Sequence, residues 1–383
     1  MDVKKIAVIG AGAMGSGIAQ VGLMAGYTVS MHDVEQRFVE SGVNTIKDSL
    51  AKFASKGKIS EEQNKNMLSR LMPTTHLKAA VADTELMIEA VFEDLSLKKK
   101  IFADIDAYAP ATTILASNTS SMSITEIASA TKRAANVVGM HFFNPAVMLK
   151  LVEVIYAKDS SDAAIQTTYE VAKKMGKVPV IVKKDSPGFI YNRVNAPTAL
   201  FMQLILDKGS PKPAQFDAAF KALMPMTPFE LMDYVGLDIV LHTQKYYSET
   251  LSKDYTPRKA LLDAVASGNL GKKTGKGLYD WSAGRPTIDI SNPTTEYDFT
   301  HMVALQVNEA TKCLEEGVTN DPKEIDLAIA NGGGGLGPFA LAQSIGYDKL
   351  VARCNELADK FGIETFRPTK TMKEGKIKVL LSA

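Results

Sequence analysis

The stretch Ile6-Ala7-Val8-Ile9-Gly10-Ala11-Gly12-Ala13-Met14-Gly15 decides the reading of the fold, and Asp33, 23 residues after Gly10, completes it. A short apolar run enters the glycine turn, and Ser16 to Ala25 leaves it as a predicted helix. Thr28-Val29-Ser30-Met31-His32 is a second predicted strand with Asp33 at its C-terminal end. This order of strand, glycine turn, helix and strand is what a dinucleotide-binding βαβ unit requires. Gly10 permits the tight turn, Gly12 lets backbone approach a pyrophosphate, and Gly15 lets the helix lie close to the strand. Ala13 and Met14 belong to the same loop, where the helix N-terminus offers free N–H groups and a positive dipole end to phosphates. Asp33 suits ribose hydroxyls and repels a 2′-phosphate, so the expected cofactor is NAD rather than NADP, although Arg37 nearby keeps the second open. The alternative is a glycine turn in a doubly wound fold that holds no ligand.

Basic and acidic residues nearly cancel, 44 against 43 in 383 residues, which argues against nucleic-acid or membrane-surface partners through bulk charge. No apolar run has membrane-spanning length. The first strand is entered by Val3, which leaves no room for a leader segment and points to a cytoplasmic protein. The two cysteines, Cys313 and Cys354, have neither metal-ligand spacing nor a disulfide framework, so no metal is expected.

Strand-like runs alternate with helical stretches through about residue 185: Leu86-Met87-Ile88-Glu89-Ala90, Thr113-Ile114-Leu115-Ala116, Asn136-Val137-Val138-Gly139-Met140 and Leu151-Val152-Glu153-Val154-Ile155. Such alternation predicts a mostly parallel sheet covered on both faces. Arg37 to Leu71 is a long, lysine-rich amphipathic segment, read as two helices joined near Gly57-Lys58. It is long for a connection between strands, and composition alone makes it a solvated face. Beyond Ser186-Pro187-Gly188-Phe189 the pattern turns helical and repeats. Pro228-Phe229-Glu230-Leu231 and Gly236 return as Pro338-Phe339-Ala340-Leu341 and Gly346, an offset of 338 − 228 = 110 and 346 − 236 = 110. A repeat of that size is a duplicated domain. Gly271 to Gly277 and Ser282-Ala283-Gly284-Arg285-Pro286 read as a glycine-rich linker between the copies. The expected architecture is α/β: an N-terminal Rossmann-like doubly wound domain over 1–185 with a helical hairpin insertion, then two all-α C-terminal domains over 186–293 and 294–383.

His141 is the histidine to single out among five. It is expected just past the strand Val137 to Met140, at the carboxyl edge where such sheets bind ligands. Glu153 sits mid-run among apolar residues, where a carboxylate needs a partner and an imidazole is an obvious one. Such a pair holds one tautomer and supports an imidazolium, as a general-base histidine requires. A satisfied strand-end histidine with Glu153 bonded to backbone stays open on position alone. Ser117-Asn118-Thr119-Ser120-Ser121 follows a strand at the same edge; its hydroxyls fit a substrate oxygen or a helix cap. Asn192 opens the first helical domain, as a bridge to ligand or as a cap.

Ser117 to Ser121, His141-Phe142-Phe143-Asn144-Pro145, Leu151-Val152-Glu153-Val154 and Asp185-Ser186-Pro187-Gly188-Phe189-Ile190-Tyr191-Asn192-Arg193 together resemble the L-3-hydroxyacyl-CoA dehydrogenases, of the 3-hydroxybutyryl-CoA dehydrogenase kind. Lys273-Thr274-Gly275-Lys276-Gly277-Leu278-Tyr279 and Pro228 to Gly236 are similar to that family too, so the resemblance spans essentially the whole chain. It implies NAD-dependent, reversible oxidation of (S)-3-hydroxyacyl-CoA to 3-ketoacyl-CoA. His141 would take the hydroxyl proton, Glu153 would orient it, and Ser120 and Asn192 would bond substrate oxygens. Asp33 and Glu93 would meet ribose hydroxyls, with Lys98, Ser120, Asn144 and Lys273 also near NAD. Ser49, Lys56 and Ser120 would contact coenzyme A, which gives the hairpin a role.

Two departures stand out. Short members of the family carry one helical domain and dimerise through it, whereas this chain carries two. A monomer in which the copies pack as two subunits would, or a homodimer, is therefore expected. The duplicated arrangement also resembles fused hydratase–dehydrogenase proteins, with an enoyl-CoA hydratase as a fused or associated partner. Thr227 stands where the family usually has glycine, which questions the local turn. Two other readings are kept: a dehydrogenase for a free hydroxy acid or sugar acid, and a non-catalytic NAD-binding protein of this fold.

Overall fold

A computed structural model describes residues 1–375 and divides them into two units: Met1–Ile190 with Gly317–Gly337, and Tyr191–Glu316 with the chain from Pro338 onward. The first unit is built as β1 (Lys5–Ile9), α1 (Ala13–Met24), β2 (Thr28–His32), α2 (Gln36–Ser55), α3 (Glu61–Ser69), β3 (Leu71–Thr74), α4 (Leu77–Val81), β4 (Leu86–Glu89), α5 (Leu95–Tyr108), β5 (Ile114–Ser117), α6 (Ile124–Ala128), β6 (Val137–Phe142), β7 (Leu151–Tyr156), α7 (Asp162–Lys174) and β8 (Val178–Val182). The sheet runs β3-β2-β1-β4-β5-β6-β7-β8, parallel throughout except that β6 and β7 pair antiparallel. Near-continuous apolar strands such as Leu86–Glu89 and Leu151–Tyr156 are buried on both faces, as a helix-covered sheet demands. The expected hairpin is α2 and α3, joined through Gly57 and Lys58, with Ser60 and Gln63 forming a capping box at the second helix. The short edge strand β3, which begins at the last residue of the hairpin segment, was not anticipated; Pro73 in it weakens any strand signal.

The second unit holds α8 (Tyr191–Lys208), α9 (Pro213–Phe220), α10 (Pro228–Val235), α11 (Leu237–Thr250), α12 (Lys259–Ala266) and α13 (Phe299–Glu315). The chain then makes α14 (Pro322–Gly332) in the first unit and α15 (Pro338–Ile345), α16 (Tyr347–Phe361) and α17 (Lys370–Lys373) in the second. The duplication is visible element by element, since α8 to α11 return in order as α13 to α16. Three sequential domains are nevertheless not what the contacts delineate. Residues of both copies, among them Phe201, Phe216, Phe229, Leu305 and Leu357, share one apolar core. Phe201 lies at its centre, edge-on to Phe216, Tyr297, Phe361 and Phe366 at centroid distances of 5.1–6.5 Å.

The helix α14 leaves its copy for the sheet. It buries Ile325, Ala328 and Ile329, and Glu324 accepts a hydrogen bond from Ile181 N on the edge strand β8 at 2.9 Å. Val318 O takes Lys183 N at 2.7 Å, so donors at the open end of the sheet are satisfied by the second copy.

The stretch Gly271 to Trp281 is no loose linker. Asp233 of α10 accepts from Leu278 N and Tyr279 N at 2.8 Å and from Trp281 Nε1 at 3.0 Å. Side chains at Gly271 or Gly277 would run into Asp233 itself, at 2.1 and 2.2 Å, so these glycines allow close approach. Thr227 proves to be the N-cap of α10, in a capping box with Glu230, and its hydroxyl donates to buried Asp217 at 2.8 Å. The departure from glycine is therefore absorbed by the hydroxyl's hydrogen bond to Asp217, the carboxylate that also accepts from Phe229 N and Glu230 N at 3.0 Å. At the corresponding position of the second copy a Cβ on Gly337 would meet Asp326 at 2.2 Å.

Phe201→Ala is expected to destabilise the second unit by about 3–5 kcal/mol through the cavity it leaves. Urea unfolding of the variant will measure this, while NAD binding below the transition should stay unchanged because the βαβ unit lies in the first unit.

Candidate active site

The carboxyl ends of β1, β2, β4, β5 and β6 meet on one edge of the sheet, and β7 starts from that edge because it runs antiparallel to β6. The glycine turn comes first. Gly10 has φ +106°, its N–H donates to His32 O at 2.8 Å, and a Cβ there would lie 2.4 Å from Ala90 O. A Cβ on Gly15 would lie 1.8 Å from Gly10 O, so helix and turn touch backbone to backbone. Gly12 faces open space at its absent side chain, which is the room a pyrophosphate needs over the N-terminus of α1. Asp33 is held by Ala11 N and Val34 N, each at 2.8 Å. Arg37 is turned to Glu35 at 2.7 Å and lies over the Phe38 ring. These residues fit a dinucleotide.

Glu89, the fully buried last residue of β4, ties three elements together. It accepts from Lys98 Nζ of α5 at 2.6 Å, from Ser117 Oγ of β5 at 2.6 Å and from Val91 N at 2.8 Å. Lys98 is buried too, and its ammonium also pairs with Glu93 at 3.0 Å. Glu93 in turn accepts from Thr119 Oγ1 and Ser120 N at 2.9 Å. Burial alone would raise the Glu93 carboxyl, but the Lys98 charge and these hydrogen bonds outweigh it and hold it below the ordinary glutamate value. Lys98 thus reaches the site through the carboxylates it orients.

His141 lies inside β6, not beyond it, because the antiparallel ladder with β7 carries the strand through Phe142. In that register His141 faces Glu153 directly. Nδ1 is 2.7 Å from Glu153 Oε2, with the histidine nearly buried and the glutamate fully so. The carboxylate fixes Nδ1 as the protonated nitrogen and leaves Nε2 as the acceptor. Phe143 and Phe189 flank the imidazole at centroid distances of 4.3 and 5.9 Å.

Glu153 Oε1 accepts from Ile190 N at 3.0 Å. That N–H is delivered by an unusual turn. Phe189 N donates to Ser186 O at 2.9 Å, with Pro187 and Gly188 (φ +78°) at the corners, the residue pattern of a type II turn. Phe189 follows at φ +52°, a conformation that costs an L side chain about 1–2 kcal/mol.

Asn118, directly after β5, has a role that its sequence context does not assign. Its Oδ1 accepts from Phe142 N at 2.8 Å, extending the hold of β5 on β6 past the end of their ladder. Only its place directly after a strand hinted at this. Lys177 was missed altogether. Its ammonium donates to Leu149 O at 2.8 Å and to Ala146 O, bracing the loop that carries Asn144 from beneath. Gly17 of α1 lets Ala146 come close, since a Cβ there would be 3.2 Å from Ala146 Cβ. Desolvation by burial, with no charge partner offsetting it, lowers the Lys177 pKa to about 8.

Of the other predicted residues, Asn144 is exposed at the same edge, and Ser49 and exposed Lys56 stand seven positions apart, about two turns, at the end of α2. Asn192 and Lys273 belong to the second unit, Asn192 in the first turn of α8 and Lys273 paired with Asp238 at 2.5 Å. Among the described residues no cluster could hold a metal ion and no helix is long and apolar enough to cross a membrane.

A dinucleotide cradle beside a carboxylate-supported histidine defines the class: a nicotinamide-dependent dehydrogenase fold. The chain matches the NAD-binding domain of 3-hydroxyacyl-CoA dehydrogenase over residues 5–186 and its C-terminal domain over two stretches, 188–281 and 299–376. It belongs to the 3-hydroxyacyl-CoA dehydrogenase family. A probable 3-hydroxybutyryl-CoA dehydrogenase of Bacillus subtilis is 41% identical over 284 residues, covering 73% of this chain and 98% of that one. The fatty acid oxidation complex subunit alpha of Psychrobacter cryohalolentis is 34% identical over 93% of this chain, which spans only 53% of that subunit. The crystal structure of 3-hydroxybutyryl-CoA dehydrogenase from Escherichia coli K12 superposes with a TM-score of 0.91, at 27% identity and 99% coverage of both chains.

Lys177→Met is expected to change how stability depends on pH. The unfolded chain keeps the Lys177 proton up to the ordinary value of 10.5, whereas the folded chain releases it near 8. Stability from this group therefore rises as pH climbs through that window. Urea denaturation at several pH values should find wild type gaining on the variant across it.

Proposed function

We propose that the chain catalyses the reversible, NAD-dependent oxidation of (S)-3-hydroxyacyl-CoA to 3-ketoacyl-CoA, with His141 as general base. The observation that carries this is the 2.7 Å contact between His141 Nδ1 and Glu153 Oε2 at the carboxyl edge of the sheet. NAD, when bound, supplies the acceptor for the hydride that leaves C3. His141 Nε2 takes the proton of the 3-hydroxyl as the C3–O bond becomes a carbonyl. Glu153 stabilises the imidazolium that results without taking the proton itself. Ser120 and Asn192 bond the substrate oxygens and so place the hydroxyl against Nε2. The dinucleotide is met by Gly10, Gly12, Ala13, Met14 and Gly15 at the pyrophosphate, Asp33 and Glu93 at the riboses, and Ser120, Asn144 and Lys273 beyond them, with Lys98 acting through Glu93. Asp33 held at the ribose position, with Arg37 turned to Glu35, supports NAD over NADP. Ser49 and Lys56 on α2, with Ser120, serve coenzyme A, Lys56 through a phosphate.

The shared core of the two helical copies supports a monomer, with a homodimer as the alternative that sedimentation would reveal. The match to about half of a fatty acid oxidation complex alpha subunit supports an enoyl-CoA hydratase as a fused or associated partner. Two free, buried cysteines agree with a cytoplasmic setting.

His141→Gln is expected to lower kcat by about 10²–10⁴-fold while NAD binding persists. Oxidation of NADH by acetoacetyl-CoA measures the first and fluorescence titration the second. Near-full turnover by the variant would remove the base from the mechanism. Wild-type turnover of acetoacetate in preference to acetoacetyl-CoA would replace the substrate class with a free acid, and inactivity on both would indicate a non-catalytic NAD-binding protein.

A further inference from the structure

We infer that Ile190, through its backbone N–H, is a positioning residue for the catalytic base, and that the strained turn at Gly188–Phe189 exists to aim it. The inference rests on His141 being that base.

Phe189 is the one non-glycine residue with positive φ among the described residues. Backbone strain of this kind persists only where its surroundings over-determine it, and it marks functional positions. Here both ends of the segment are tied down. At one end Asp185 accepts from Ser123 Oγ at 2.6 Å and from Thr125 N at 2.8 Å, which fixes it to the start of α6. At the other end Ile190 N reaches Glu153 Oε1 at 3.0 Å. Between them the turn through Pro187 and Gly188 reverses the chain, and Phe189 in the left-handed region swings the next N–H toward the carboxylate. The Phe189 ring is buried beside His141, which helps to hold the conformation.

The chemistry needs such a second hold. A donor on each oxygen resists rotation of a carboxylate about its last bond, and with it a turn of the imidazole. With Oε2 on His141 Nδ1 and Oε1 on Ile190 N, the plane of Glu153 is set and the Nε2 lone pair of His141 is aimed once. Ile190 is also the last residue of the first unit before α8, which carries Asn192 two positions on. The anchor of the base and the start of the substrate-contacting helix are thus consecutive in the chain.

Two substitutions separate backbone aiming from ring packing. Phe189→Gly removes the ring yet adopts positive φ freely; Phe189→Val keeps apolar bulk but is a poor fit to that region. A third variant replaces the Ile190 amide by an ester, removing only the N–H. The readouts are kcat and KM for acetoacetyl-CoA, the far-downfield proton resonance of a histidine Nδ1–H bonded to carboxylate, and NAD affinity as the check on folding. Phe189→Gly is expected to retain most of kcat and the resonance. Phe189→Val and the ester are expected to lose the resonance and about a hundredfold in kcat, the scale of a small misplacement of a reacting group, with KM little changed. Equal losses in Phe189→Gly and Phe189→Val, or an ester variant with resonance and kcat intact, would overturn the inference. The resonance is read without turnover, so its outcome is independent of whether His141→Gln abolishes activity.

Discussion

Burying a carboxylate within a strand of the sheet is the constraint on which the rest of this molecule hangs. Such a group is tolerated only with donors supplied to both oxygens. Glu89 at the end of β4 draws in Lys98 and Ser117; Glu153 within β7 draws in His141 and Ile190 N. Each carboxylate forces three elements into register, and the loops between them inherit fixed positions. The site is therefore rigid for reasons of solvation before any ligand is considered. The helical unit repeats the device: Asp217 collects Thr227, Phe229 N and Tyr279, and Asp233 collects the backbone of Leu278 and Tyr279.

Much of this was legible in the sequence where one residue type has one physical use. The run Ile6 to Gly15 with Asp33 specified a βαβ unit because no other arrangement needs glycines at those spacings beside that acid. Glu153 was legible as a carboxylate in want of a partner, since apolar neighbours on both sides leave it no solvent. What stayed hidden were contacts made across long sequence separations by backbone atoms. Lys177 grips carbonyls, which any sequence supplies. Ile190 contributes an N–H that every residue but proline has. Asn118 stood in plain view after a strand, but its partner is a main-chain donor on the next one.

The reading of Gly271 to Gly277 as a linker shows the converse error. Glycine signals either freedom or crowding, and composition does not distinguish them. Here the crowding comes from Asp233, which is far away in sequence and whose backbone carbonyl at Gly271 and carboxylate at Gly277 fill the space that side chains would take. The extra strand residues His141 and Phe142 have a similar origin, in pairing with β7 that no local pattern announces.

The placement of α14 has a consequence for how the chain is made. The sheet's last strand, β8, and the residue that follows it have donors that are answered by Glu324 and Val318, residues synthesised well after them. Until Gly337 has left the ribosome the N-terminal unit is unfinished, and its outermost strand stands ready to pair with any extended chain nearby. The duplicated segment thus works as a closing seam. The outer strand of the nucleotide-binding half is capped by a helix whose contact residue, Glu324, lies 143 positions further along the chain.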